Sequence, residues 1–311
     1  ISDECGLMFP IIPANSVAAS AGNQEGIFGY GYTDAGGTLS MSNLVSNAGV
    51  VATDTAGVGT ARKQLGACEY GSDKGIFGYG RDGNVYGCDI TNLVSNAGVV
   101  ASDVTGVGTA RYGPAACSYG GDKGIFGFGR TNAYLSMTNL VSNAGVVASD
   151  TAGVGTARKS LEACEYGEDK GIFGFGNTDS QVGMTNLVSN AGVVATDTAA
   201  VGTARNMLGA CSYGGDKGIF GFGNDGVTWV VNETNLVSNV GVVSTDVTGV
   251  GTDRYAPAAT QYGGDKGIFG FGNDGVTEMN ETNLVSNAGV VASDTAGVGT
   301  ARYYLAACSF N

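Results

Sequence analysis

Residues 111–129 read RYGPAACSYGGDKGIFGFG, and close variants of this phrase start at Arg62, Arg158, Arg205, Arg254 and, cut short by the C-terminus, Arg302. Each part carries a local instruction. Ala115, Ala116, Cys117 and Tyr119 make a strand of small residues that ends on an aromatic. Gly120 to Lys123 supply turn chemistry, since Gly and Asp accept a tight reversal. Gly124 to Gly129 form an apolar strand whose glycines permit close backbone approach. Gly density, β-branched residues and the lack of a 3.6-residue period argue against helix throughout.

Outward from this phrase the pattern repeats. "GIFG" begins at Gly26, Gly75, Gly124, Gly171, Gly218 and Gly267, a spacing of 47 to 49 residues. "NLVSN" follows at Asn43, Asn92, Asn139, Asn186, Asn235 and Asn283. An arginine ends each unit at Arg62, Arg111, Arg158, Arg205, Arg254 and Arg302. Thr138 to Asn143 and Gly145 to Ala148 form a second hairpin around a "SNAG" corner, whose Asn and Gly tolerate positive φ. Six units of about 48 residues with four short strands each predict an all-β, six-bladed β-propeller over residues 18–311, with a parallel solenoid as the alternative. The alanine-rich strand occurs seven times, from Ala18 to Ala306, so one copy is surplus to a six-membered ring.

The unit resembles the kelch repeat, in which an Arg, an alanine-rich strand, a turn and a strand ending in paired glycines follow one another. Here these are Arg111, Ala115 and Ala116, Asp122 and Lys123, and Ile125 to Gly129. The resemblance implies a propeller of kelch-like blades. Two features depart from it: Gly-aromatic-Gly replaces the glycine pair, and Val146 and Val147 stand where the late-blade Trp is expected. Some kelch-type propellers are copper-radical oxidases with histidine ligands, and this chain contains no histidine.

That lack also removes Ser-His-Asp and Cys-His catalysis. No C-x2-C pair offers a zinc site, so no cofactor and no enzymatic activity are expected. Asp54, Asp103, Asp150, Asp197, Asp246 and Asp294 recur at one position, and six identical carboxylates predict loop capping or pairing with arginine, not a catalytic pair of unlike carboxylates. The net charge of −13 excludes nucleic acid as a partner and attraction to an anionic membrane. No apolar run is long enough to insert into a bilayer.

Cys68, Cys117, Cys164, Cys211 and Cys308 share one strand position, replaced by Thr260 in the remaining unit, and are expected as buried small residues. Cys5 and Cys88 break the pattern and, with Cys308, are disulfide candidates. Asn232 and Asn280 begin N-glycosylation triplets. Together with a first residue of Ile1, these predict a secreted or cell-surface protein whose signal peptide has been removed. Residues 1–17 form an extended arm whose Leu7, Met8, Phe9, Ile11 and Ile12 need an apolar partner. Trp229, the only tryptophan, marks a candidate ligand loop.

The unit varies in two places, the connection after "GFG" and the short stretch after each Arg. The arm, the repeated surface and the missing catalytic groups predict an extracellular structural protein that polymerises with itself through the arm. The alternative is a multivalent, lectin-like propeller binding glycans at one weak site per blade.

Overall fold

The computed structural model describes residues 24–83 and 87–310, and every regular element among them is a β-strand. They form six antiparallel three-stranded sheets. In chain order of their central strands these are Ala306–Ser309 with Gly26–Thr33 and Gly37–Val45; Gly66–Tyr70, Lys74–Gly78 and Thr91–Val94; and Ala115–Tyr119, Lys123–Arg130 and Tyr134–Val141. The remaining three are Glu162–Tyr166, Lys170–Gly174 and Thr185–Val188; Gly209–Tyr213, Lys217–Gly223 and Val231–Val237; and Ala258–Tyr262, Lys266–Asn273 and Glu278–Val285. The "GIFG" phrase is always the central strand. The expected reversal before it is present: Gly120 and Gly121 sit at φ 64° and 77°, and Tyr119 pairs with Lys123 across the turn.

The first sheet joins the two ends of the described chain. Ala306–Ser309 pairs antiparallel with Gly26–Gly29, so the last alanine-rich copy completes the first sheet. The surplus copy at Ala18 lies outside the described residues.

Four-stranded units were expected, and the sheets have three strands. The backbone of the segment after the "SNAG" corner pairs with its neighbour through isolated bridges such as Val141↔Val147 and Thr138↔Thr151 and not through a continuous ladder. Between those bridges stands Asp150, whose carboxylate is engaged by side chains and by a neighbouring unit. The segment is therefore pinned at intervals instead of running as a ladder.

The core lies between sheets. Ile125, Phe128 and Tyr119 of the third sheet cluster with Ala163, Phe173 and Val188 of the fourth. Ile268 and Phe271 of the sixth likewise cluster with Phe28 and Val45 of the first. Six edge-to-face aromatic pairs, centroids 5.1–5.2 Å apart, join consecutive sheets from Tyr30–Phe77 through to Phe28–Phe271. Such pairs are worth about 0.5–1.5 kcal/mol each beyond burial. This packing explains glycine inside a strand: a Cβ at Gly127 would lie 2.7 Å from Cζ of Phe173. It also explains the Gly-aromatic-Gly phrase. Phe128 adopts φ 64° at a register shift between Gly127 and Gly129, a conformation uncommon for a bulky residue. The bulge accompanies the seating of its ring against Phe173 of the next sheet.

Candidate binding face

The first strands of the sheets pack on one another in order: Gly66–Tyr70 on Ala115–Tyr119, then Glu162–Tyr166, Gly209–Tyr213, Ala258–Tyr262 and Ala306–Ser309, which packs on Gly66–Tyr70. Just before each of these strands one residue enters a circuit of backbone hydrogen bonds. Gln64 N–H donates to Tyr304 O (2.9 Å), Tyr304 to Ala256 (3.2 Å), Ala256 to Met207 (2.7 Å), Met207 to Ser160 (2.9 Å), Ser160 to Gly113 (2.9 Å) and Gly113 to Gln64 (2.8 Å). All six residues have positive φ, between 52° and 63°. Five of them are not glycine, so the left-handed backbone there is held by the circuit and not by residue preference.

A second set of contacts joins the units. Arg158, fully buried, lies 4.3 Å from the Phe128 ring of the third sheet and donates to Phe175 O (2.8 Å) and Asn186 Oδ1 (2.7 Å) of the fourth. Its Nη1 is 3.8 Å from Asp197. That carboxylate accepts from Asn186 Nδ2 (2.9 Å) and from Thr156 Oγ1 (2.7 Å), two residues before the arginine. Partial burial pushes the Asp197 carboxyl up, but hydrogen bonds from Thr156 and Asn186 and the Arg158 charge together hold it below its usual range. Burial lowers the Arg158 guanidinium to about 10, so it stays cationic at neutral pH. The Arg–Asn bond recurs in all six units and the Arg–Asp pair in five, with Arg302 and Thr300 reaching back to Asn43 and Asp54. The Nε–carbonyl bond is made by Arg158 and Arg302, whereas Nε of Arg62, Arg111, Arg205 and Arg254 is buried without a partner. The expected Asp–Arg pairing is thus present, and it runs between units.

Around the hydrogen-bonded circuit the two variable stretches meet. The residue after each unit's Arg bridges the residue after the "GFG" phrase: Lys63↔Arg81, Tyr112↔Arg130, Lys159↔Asn177, Asn206↔Asn224, Tyr255↔Asn273 and Tyr303↔Tyr32. Contacts between these pairs tie them into one surface. Tyr134 Oη donates to Asn177 Oδ1 (3.2 Å), Gln181 Nε2 to Asn224 Oδ1 (3.0 Å) and Asp34 N–H to Glu278 Oε1 (2.6 Å).

This face gathers particular charges. Of the 15 Lys and Arg residues, six are the clasp arginines and five are the turn lysines Lys74, Lys123, Lys170, Lys217 and Lys266, each paired with the preceding Asp. The remaining four, Lys63, Arg81, Arg130 and Lys159, all lie here, half-buried and without a carboxylate ion pair among the described residues. They rest on tyrosines instead. Lys63 is 3.2 Å from the Tyr32 centroid, Arg81 and Lys159 are 5.5 and 5.2 Å from that of Tyr112, and Arg130 is 4.6 Å from that of Tyr134. Burial and then the Arg81 charge lower the Lys63 ammonium to about 8, with Asp34 opposing. Burial, then Arg130 and Arg81, lower Lys159.

The sequence reading had singled out none of these four cations. Removing the repeated Arg and Lys positions from the count leaves them, and an antiparallel unit brings its even-numbered connections to one end. Both signals were in the sequence.

The space between the packed first strands is narrow. Cavities of about 30 and 60 Å3 lie along it, lined by Gln64, Ser160, Glu162 and Met207 in one case and by Cys68, Glu69, Cys117 and Glu165 in another. At that size they are too small for an organic ligand. Burial raises Glu162 to about 8, and burial with the nearby Glu69 charge raises Glu165 to about 8. Among the described residues no group of three His, Cys, Asp or Glu side chains is placed to hold a metal ion.

The other sequence-predicted residues fall elsewhere. Cys308 is buried, with its Sγ 2.5 Å from where a Cβ on Gly75 would stand; Cys88 is half-buried; and all six described cysteines are free thiols. Pairing with Cys5 lies outside the described residues, as do Leu7, Met8, Phe9, Ile11 and Ile12 of the arm. Asn232 and Asn280 spend their side-chain amides on Gly251 O and Gly299 O (both 2.7 Å), which gives glycosylation there no support. Trp229 is 64% exposed on the connection between Asn224 and Val231, at the same end of its sheet as the Asn206↔Asn224 bridge.

No family model matches the chain, and no curated protein is detectably similar to it, so the kelch resemblance rests on the repeat residues alone.

Proposed function

We propose that the chain is a six-bladed β-propeller whose role is non-catalytic binding, with the ligand taken at the variable face around the Gln64–Tyr304 circuit. One observation carries this reading: the two variable stretches of the unit meet at one end, while the Arg–Asn contact beneath them repeats. A rigid ring presenting variable side chains is a common basis for recognition. The face supplies Lys and Arg in one part, Asn in another and Tyr in a third, so it is one composite site and not six equivalent weak ones.

The test is an immobilised-glycan array probed with the wild-type chain and two variants. Replacing Tyr32, Lys63, Arg81 and Tyr112 by Asn abolishes binding under this reading. Replacing Val50, Val146 and Val242 by Ser leaves it intact. Equal behaviour of the two variants counts against the variable face.

Extracellular self-assembly is the second reading. Val50, Val99, Val146, Val193, Val242 and Val290 stand 64–66% exposed, one per unit, and offer a repeated apolar point for packing against further copies. Negative-stain microscopy of the wild type, the valine variant and a chain lacking residues 1–17 decides this. Filaments in the first sample alone support assembly, and monodisperse particles in all three refute it.

A further inference from the structure

The four cations that lack a carboxylate ion pair among the described residues define a narrower site on this face, and the inference rests on the binding reading above. Lys63, Arg81, Arg130 and Lys159 are half-buried in a protein of net charge −13, yet tyrosine rings, not carboxylates, hold them. A cation held against an aromatic face keeps N–H donors for a further partner. Gathering four like charges is unfavourable unless an anion joins them.

A second observation concerns neutral groups beside them. Gln64 Oε1 and Ser160 Oγ, each next in sequence to one of the lysines, are buried without a hydrogen-bond partner, as is Oδ1 of Asn206, itself only 5% exposed. Buried polar atoms are ordinarily satisfied, and three orphans around one circuit call for hydroxyl partners. We propose that the Lys63–Arg81–Arg130–Lys159 quadrant binds an acidic oligosaccharide, its carboxylate or sulfate on the cations and its hydroxyls on Gln64, Ser160 and Asn206. A long polyanion fits poorly, because Asp34 beside Lys63 and Asp179 beside Tyr134 border the quadrant and Asp225, Asp274 and Glu278 occupy the connections of other units. The ligand is therefore short.

Titration calorimetry of the full chain tests this with four probes: trigalacturonate, a sulfated tetrasaccharide, neutral maltotriose and sodium sulfate. The proposal expects at least one acidic saccharide to bind, more weakly as salt rises, and maltotriose not to bind. The double variants Arg81→Gln/Arg130→Gln and Lys63→Gln/Lys159→Gln each weaken binding at least tenfold with an unchanged melting temperature. Asn206→Ala weakens the saccharide and leaves any sulfate affinity unmoved.

Inorganic sulfate matching the saccharides overturns the saccharide assignment in favour of a bare anion. Maltotriose binding that Asn206→Ala abolishes and the charge variants spare overturns the anionic assignment while keeping the binding face. Binding of no probe overturns the proposal, and the glycan array above then decides separately whether the face binds at all.

Discussion

Arg158 and Lys159 are neighbours in sequence and obey opposite rules. Arg158 is fully buried, satisfied by an amide, a carbonyl and a carboxylate, and its counterparts stand in every unit. Lys159 is half-buried, lacks a carboxylate partner among the described residues, and its counterparts are Lys63, Tyr112, Asn206, Tyr255 and Tyr303. Repetition follows the contact between units: the Arg–Asn bond is made in all six and the arginine does not change, whereas the next position, buried as Tyr112, Asn206 and Tyr303 and half-buried as Lys63, Lys159 and Tyr255, differs from unit to unit. One residue step thus separates the part that holds the molecule together from the part available to a partner.

The comparison breaks most visibly at the arginine. Arg158→Ala leaves Asn186 Oδ1 unpaired and Asp197 without its cation, and removing one partner of a buried pair costs about 3–5 kcal/mol. Urea denaturation measures this directly, and a loss below about 1 kcal/mol shows the clasp to be dispensable. Arg158→Lys recovers little of the loss, because an ammonium cannot reproduce the forked contacts.

A smaller effect is expected within the sheets. Gly127→Ala places a methyl group against Phe173 and costs about 1–3 kcal/mol by overpacking. Gly121→Ala, which meets no atom within 4 Å, isolates the backbone contribution of a positive-φ glycine at φ 77°. Equal losses at the two sites mean that intersheet contact is not what position 127 requires.

Glu162, on a first strand, supplies a pH-dependent test. Burial raises Glu162 to about 8, so the folded state retains a proton that the unfolded chain releases near its ordinary value of about 4.5. Stability from this group is present below pH ~4.5 and falls as pH rises towards ~8. Glu162→Gln is expected to flatten part of that decline and to stabilise the protein at pH 8 by on the order of 1 kcal/mol. Thermal melts of both proteins between pH 5 and pH 9 check it, and parallel curves refute it. The smallest effect belongs to the face: Arg130→Ala changes stability by no more than about 0.5 kcal/mol, since it removes one of four repelling charges and closes no contact between units.

Much of the architecture was legible because it depends on local chemistry. Gly120 to Lys123 reads as a reversal and Gly124 to Gly129 as a strand whichever unit surrounds them, and the repeat multiplies that information. The fourth strand was misread because residues such as Val147 and Thr151 have strand character. What decides the segment's fate is Asp150, which spends its carboxylate on Thr109 of the preceding unit, a contact invisible at one-unit range. Phe128 at φ 64° was equally out of reach, because propensity places aromatics in extended backbone and only the ring of the neighbouring sheet accounts for the bulge. The candidate face was half legible. Its variable positions were visible, but their convergence needed the geometry of the connections.

The proposed propeller stands or falls on the join between its first and last units. A double-mutant cycle on Arg302 and Asp54, 3.8 Å apart in the structure and near opposite ends of the chain, tests that join. The same cycle on Arg158 and Asp197 is the internal standard. A closed ring predicts equal coupling energies for the two pairs, each in the range of about 0.5–3 kcal/mol. Coupling at Arg158–Asp197 with none at Arg302–Asp54 contradicts closure, and with it the single face on which the variable residues meet.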